Sequence, residues 1–215
     1  MRTLYTFFRS STSFRLRIAL NYKGLDYTPQ FVSLPKLEHR EPAYMALNPQ
    51  GLLPALIEDG KLYAQSLAIL EYLEERYPMP PLMPRDIDER AYVRMLSQIV
   101  GCDIHPLNNV RVLKYLRGRW KLSEEQSNEW YAHWIAEGMR SFEQTLAHEK
   151  RHGLFCLGDT PTIADICLAS IIAVMRIFKI EVPSIPTVLR VMAACEQLDA
   201  FAKADPSRQA GAPQA

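Results

Sequence analysis

The run Pro78-Met79-Pro80-Pro81, with Pro84 just beyond it, constrains this chain more than any other feature. Proline fixes φ and donates no backbone hydrogen bond, so helices and central strands stop at such a run. The sequence is therefore divided into domains at 1–80 and 86–215, joined by a short linker. The two parts carry different patterns.

Strand and helix signals alternate in the first part. Thr3 to Phe7 suits a buried strand, and Arg15 to Tyr22 a helix that Gly24 can cap. Tyr27 to Leu34 reads as a second strand and Glu41 to Leu47 as a short helix ended by Asn48-Pro49. Leu52 to Ile57 is a third strand, and the Asp59-Gly60 turn leads into Lys61-Leu62-Tyr63. Gln65 to Arg76 is a strong helix. The order is βαβ, helix, ββ, helix.

Beyond the prolines every signal is helical. Helices are expected near 88–117, 124–148 and 187–203. Another begins at Thr162-Ile163-Ala164-Asp165, a capping-box variant. Its apolar positions 163, 166, 167, 171, 174, 177 and 178 follow the spacing of a buried helix, and Arg176 falls off that stripe. The tail from Asp205 to Ala215 is expected to fray.

A formal net charge of +1 gives no bulk electrostatic case for nucleic acid or an anionic membrane, so anion binding must come from local arginines. Cys102, Cys156, Cys167 and Cys195 form no CxxC pair and no zinc spacing, which leaves no metal site. Free thiols in a reducing cytoplasm are expected. No signal-peptide pattern opens the chain, and no run approaches the roughly 18 apolar residues of a membrane span.

Four motifs then carry a family resemblance. They are Arg9-Ser10-Ser11-Thr12-Ser13-Phe14-Arg15-Leu16-Arg17-Ile18-Ala19-Leu20, Ala46 to Leu56 with Asn48-Pro49-Gln50-Gly51, Gln65-Ser66-Leu67-Ala68-Ile69, and Gly158 to Asp165. Together they resemble the zeta-class glutathione transferases. The fold this implies is an α/β thioredoxin-like domain that binds glutathione, followed by an all-α substrate-binding domain. The activity implied is glutathione-dependent cis–trans isomerisation of a small dicarboxylic keto acid by reversible thiolate addition. The resemblance also implies a homodimer. Many zeta members carry cysteine where this chain has Thr12. That threonine, with Gly101 to Pro106, resembles the maleylpyruvate isomerase branch more than the maleylacetoacetate isomerase branch.

A free thiol is mostly protonated at neutral pH, so the protein must favour its anion. Ser10, Ser11 and Thr12 place hydroxyls at a helix N-terminus, whose amides and dipole suit an anion. By resemblance Ser10 is the first choice for the sulfur contact, with Ser11 and Thr12 close behind; plain helix capping is the alternative. Leu53 before a cis Pro54 is implied to pair its backbone with glutathione. Gln65 and Ser66 suit the γ-glutamyl carboxylate, and His39 suits the glycine carboxylate or is a plain surface residue. Asp103, His105 and Asn109 complete the cofactor set or serve a kink at Pro106; His105 and Asn109 share a face if the helix continues. Arg9, Arg111 and Arg176 match the isomerase pattern as receptors for a dianion, since the guanidinium fork holds a carboxylate with two hydrogen bonds. The other readings are a general transferase or dehalogenase of the same fold and a non-catalytic binding module.

Overall fold

The computed structural model describes residues 1–213. The chain packs as two compact units. One is Met1–Leu82 with the described part of Glu196–Ala215, and the other is Met83–Cys195.

The first unit holds a four-stranded sheet in the order β2-β1-β3-β4. Strand β1 (Arg2–Thr6) runs parallel to β2 (Thr28–Phe31) and antiparallel to β3 (Ala55–Glu58), which pairs antiparallel with β4 (Lys61–Ala64). Asp59 and Gly60 both have positive φ, as the tight β3–β4 hairpin requires. Helix α1 (Ser11–Tyr22) provides the crossover from β1 to the parallel β2, α2 (Pro42–Leu47) is short, and α3 (Ser66–Arg76) follows β4. Leu4, Leu16, Ile18, Leu20, Leu56, Ile69, Leu70 and Leu73 are fully buried. At about 1.5–3 kcal/mol each, their burial is the main force holding sheet and helices together.

Two strands are shorter than the sequence suggests. Thr28 to Phe31 lie in register with β1, Val32 N–H donates to the Thr6 carbonyl at 2.9 Å, and Ser33 N–H then turns to the Glu38 carboxylate. Strand β3 begins at Ala55 rather than Leu52 because the Leu52 carbonyl is taken by Tyr44 and Asn48. Pro54 also has no N–H to give. Helix α1 begins earlier than Arg15, at Ser11, with Ser10 as its N-cap.

In the second unit the helix expected over 88–117 is broken. It comprises α4 (Ile87–Gln98), a π turn over Ile99–Ile104, a non-helical stretch 105–109, and α5 (Val110–Arg119). Trp130 Nε1 donates to the Leu107 carbonyl at 3.0 Å and Asn108 Nδ2 to the Tyr131 carbonyl at 3.3 Å, tying the break to α6 (Glu124–Glu149). Helix α7 (Ile163–Phe178) is the core of the unit, packed against α4 and the π turn. Its capping box forms as read: Thr162 N–H donates to the buried Asp165 carboxylate, and Ala164 N–H donates to the Thr162 hydroxyl. Burial pushes the Asp165 carboxyl up, against hydrogen bonds from Cys156 and Thr162 that pull it down. Glu143 accepts from the amides of Thr187 and Val188 at the start of α8 (Pro186–Glu196), an acidic cap supplied from another helix.

The helix expected near 187–203 is likewise two: α8, then α9 (Asp199–Ala204) with Leu198 as its N-cap. The sequence assigned 86–215 to the second domain. Residues from Glu196 onward pack instead with the first unit, where α9 lies against α1. The tail is also more ordered than expected. Pro206–Arg208 forms a 3-10 turn, and Gly211 sits so close to the Phe31 ring that a Cβ there would overlap it. Positions 214 and 215 lie outside the described residues.

Candidate active site

The first unit gathers its site residues where β1 meets α1 and where the 48–54 loop enters β3. Ser13 N–H donates to Ser10 Oγ at 3.1 Å, closing the N-terminal turn of α1. Ser10 Oγ lies 3.0 Å from Thr12 Oγ1, and Thr12 Oγ1 donates to the Leu53 carbonyl at 3.1 Å. A hydroxyl has one proton, and that of Thr12 goes to Leu53, so Ser10 must be the donor to Thr12. The result is a directed chain from Ser13 through Ser10 and Thr12 to Leu53. Ser10 and Thr12 are buried, whereas Ser11 is half-buried. Among the described residues nothing accepts from the Thr12 N–H, which points to the open end of the α1 dipole.

The Leu53–Pro54 bond is cis, as the sequence reading expected. Its loop is pinned from behind. Tyr44 Oη donates to the Leu52 carbonyl at 2.7 Å and Asn48 Nδ2 to the same oxygen at 2.9 Å. Burial raises the Tyr44 phenol to about 12, so it stays a donor at neutral pH. Gly51 has φ of 57°, and a Cβ there would run into Met45 Sδ, Arg40 Nη1 and the His39 carbonyl. His39 is half-buried in the 3-10 turn Glu38–Arg40 beside that loop.

Gln65 is the N-cap of α3 with φ of 70°, a left-handed value that a non-glycine residue holds at a cost of about 1–3 kcal/mol. Its Nε2 donates to Gln50 Oε1 at 2.8 Å, joining the α3 start to the 48–54 loop. Ser66 is buried, and its Oγ accepts from Arg15 Nη1 at 3.1 Å. Arg9 is exposed beside Ser10. The second unit carries the remainder. Asp103 is exposed in the π turn, His105 half-buried in the break, and Arg111 exposed in the first turn of α5. Arg176 is exposed in the last turn of α7. His105 and Asn109 do not share a helical face. The helix has ended before them, and Asn109 is instead the N-cap of α5, its Oδ1 accepting from Arg111 N–H at 3.1 Å.

Sequence reading overlooked Tyr44 and Asn48, which hold the Leu52 carbonyl, and Arg15 and Gln50, which hold the side chains of Ser66 and Gln65. One signal was available for Arg15. Arg15 and Arg17 lie about 200° apart on a helical wheel, so a helix with one wet face must bury at least one of them.

A four-stranded thioredoxin-like sheet, a hydroxyl-bearing turn at the first helix and a cis-proline loop define a class of thiol-binding protein, and relatives specify it further. The family model for the glutathione S-transferase N-terminal domain matches residues 9–76. The chain is 48% identical over 206 residues to a maleylpyruvate isomerase of Ralstonia sp, covering 96% of this chain and 97% of that one. It is 44% identical to a maleylacetoacetate isomerase of Pseudomonas aeruginosa, with 99% of each covered. Among solved structures, a holo maleylpyruvate isomerase described as a bacterial zeta-class glutathione S-transferase superposes with TM-score 0.95 at 46% identity, covering 98% of this chain and all of that one. A maleylacetoacetate isomerase from Methylobacterium extorquens with bound malonate and glutathione superposes with TM-score 0.96 at 41% identity, covering 99% of this chain and all of that one. The chain belongs to the glutathione S-transferase family, in its zeta class of maleylpyruvate and maleylacetoacetate isomerases.

Proposed function

We propose that this protein is a glutathione-dependent cis–trans isomerase that converts maleylpyruvate to fumarylpyruvate. The observation that carries the reading is the hydroxyl chain Ser10–Thr12–Leu53 at the open N-terminus of α1, in a chain that matches such isomerases along nearly its whole length. The unsatisfied Thr12 amide and the α1 dipole fit an anion, and so fit the thiolate of glutathione.

When bound, glutathione supplies the nucleophile whose reversible addition lets the double bond rotate. The rest is done by the chain's own residues. Ser10, Ser11 and Thr12 form the turn that favours the sulfur as an anion. Ser10 Oγ and Thr12 Oγ1 donate within the protein, and the Thr12 amide is the donor left at the open end of α1. Leu53 offers its backbone as an edge for the tripeptide. Gln65 and Ser66 bind the γ-glutamyl carboxylate and His39 the glycine carboxylate. Asn109 keeps its amide nitrogen as a donor while its oxygen caps α5; with Asp103 and His105 it completes the glutathione site of the same subunit or of its partner in a homodimer. Arg9, Arg111 and Arg176 receive the substrate's carboxylates and offset charge developing on its carbonyl oxygen. Among the described residues no helix is long and apolar enough to cross a membrane; with four free cysteines, we place the protein in the cytoplasm.

The test is the disappearance of maleylpyruvate with purified protein, with and without glutathione, beside maleylacetoacetate. Glutathione-dependent turnover with higher kcat/KM for maleylpyruvate is expected. Preference for maleylacetoacetate would reassign the substrate, and no turnover of either would overturn the isomerase reading. Arg111→Gln and Arg176→Gln should each lower kcat/KM at least tenfold at unchanged glutathione affinity, roughly the loss of one charge-assisted hydrogen bond.

A further inference from the structure

Arg17 is one of the largest fully buried side chains, 1% exposed. It has no carboxylate partner within ion-pair distance among the described residues; Asp205 acts on it only at longer range. Burial lowers its pKa to about 10, so it remains a cation at neutral pH. Removing a cation from water without an anionic partner costs several kcal/mol, which a stable core does not require.

Its hydrogen bonds show where that cost is directed. Nη1 donates to Thr6 Oγ1 at 3.0 Å and to the Phe7 carbonyl at 3.4 Å, and Nη2 donates to the Phe8 carbonyl at 3.1 Å. Phe7 and Phe8 immediately precede Arg9 and Ser10, and the Phe7 carbonyl also accepts from Ser10 N–H at 3.0 Å. On its other side, Arg17 Nε donates to the carbonyl of Ala204 at 3.1 Å, where α9 ends. A second route runs in parallel: the Phe7 ring lies 5.6 Å from the Phe31 ring, and Phe31 abuts Gly211. The turn carrying the hydroxyl cluster is thus held from behind by residues almost two hundred positions later in the chain.

We propose that Arg17 is a positioning residue for catalysis: its guanidinium braces the Phe7–Ser10 turn against the C-terminal segment and thereby sets Arg9 and Ser10 for substrate and glutathione. This rests on the functional reading above. Only a guanidinium can do it, because its planar fork reaches four acceptors on two chain segments at once, 6–8 and 204, which a lysine ammonium cannot match in geometry.

The test compares full-length wild type, Arg17→Gln, Arg17→Lys and Asn21→Ala. Asn21 is the control. Its Nδ2 donates to the Ala200 carbonyl at 3.2 Å, tying the same two elements without touching the turn. Each protein is assayed for stability, glutathione affinity, the ultraviolet thiolate titration of bound glutathione, and kcat and KM. Arg17→Gln should raise the titration midpoint by about half a unit to one unit and lower kcat/KM about tenfold or more, the scale of one lost charged hydrogen bond. Arg17→Lys, keeping the charge without the fork, should bring the midpoint back toward wild type while kcat/KM stays low. Asn21→Ala should lose stability with kinetics and titration unchanged. A folded Arg17→Gln with wild-type titration and kcat/KM overturns the proposal, as does an Asn21→Ala variant that shifts both as far. If Arg17→Gln does not fold, wild-type kcat/KM in Arg17→Lys overturns it. A wild type that binds no glutathione overturns the functional reading and this inference with it. A wild type that binds and isomerises, beside an equal Arg17 variant, sinks this inference alone.

Discussion

Gly138, in the middle of α6, faces Ile104, the last residue of the π turn and the neighbour of His105. A Cβ built on Gly138 would overlap Ile104 Cγ1 and Cδ1, far inside van der Waals contact. Glycine to alanine in a helix interior ordinarily gains about 1 kcal/mol. Here the gain is opposed by overpacking, which costs about 1–3 kcal/mol in a dense core. The overlap is with a fully buried side chain whose surroundings leave it little room, so the upper end applies. Gly138→Ala should therefore lose about 2 kcal/mol. Ile104→Ala alone should lose about 2–5 kcal/mol by opening a cavity. In that background the clash is gone, and Gly138→Ala should become stabilising by about 1 kcal/mol. The assay is urea unfolding of the four proteins, with kcat/KM as a second readout, since a displaced Ile104 drags His105. The same sign of effect for Gly138→Ala in both backgrounds would refute the reasoning.

Three further outcomes are expected. Thr12→Val removes the donor to Leu53 and the acceptor from Ser10; it should cost about 1–3 kcal/mol in kcat/KM with glutathione, and unchanged steady-state kinetics would show the hydroxyl chain to be incidental. Burial works to raise the Glu58 carboxyl, but hydrogen bonds from Tyr72 and Tyr77 and the Arg2 charge outweigh it and hold it low in the folded state. A depressed carboxylate contributes stability that is present above its unfolded value and lost as pH falls through the folded one. Tyr72→Phe should therefore begin to unfold at a higher pH than wild type in an acid titration followed by circular dichroism. Arg111, Lys114, Arg117, Arg119 and Lys121 are all exposed along and just after α5, and none forms an ion pair among the described residues. For a dianionic substrate kcat/KM should fall several-fold from about 0.01 to about 0.15 M salt, as the screening length shrinks from roughly 30 to 8 Å; a flat salt profile would argue against steering by this stripe.

Much of this could be read from the sequence wherever the signal is local. The Thr162-x-x-Asp165 box, the Asp59-Gly60 hairpin and the Leu53-Pro54 bond are each decided by residues adjacent in the chain. The apolar spacing from Ile163 to Val174 names a buried helix because α7 is enclosed on most of its circumference there; Ile177 and Phe178, read as part of the same stripe, are exposed in its last turn. Pro106 signals a kink, but the full break at 105–109 is not legible. A π turn shifts the hydrogen-bond register without changing which residues are apolar, so 88–117 reads as one helix, in which His105 and Asn109 share a face only if it continues. The separation of about 200° between Arg15 and Arg17 signals that one of them is buried, but not that both are. Burying both draws on acceptors at Ser66 and Ala204, which no local window around α1 contains.

The first unit is assembled from two segments far apart in the sequence. During synthesis Arg17 leaves the ribosome 187 residues before the Ala204 carbonyl that completes its shell. A product terminated after α8 would have every strand of the sheet and every hydroxyl of the turn, yet would leave a buried cation short of an acceptor. The brace behind the turn is therefore complete only once α9 has been made, long after the turn itself.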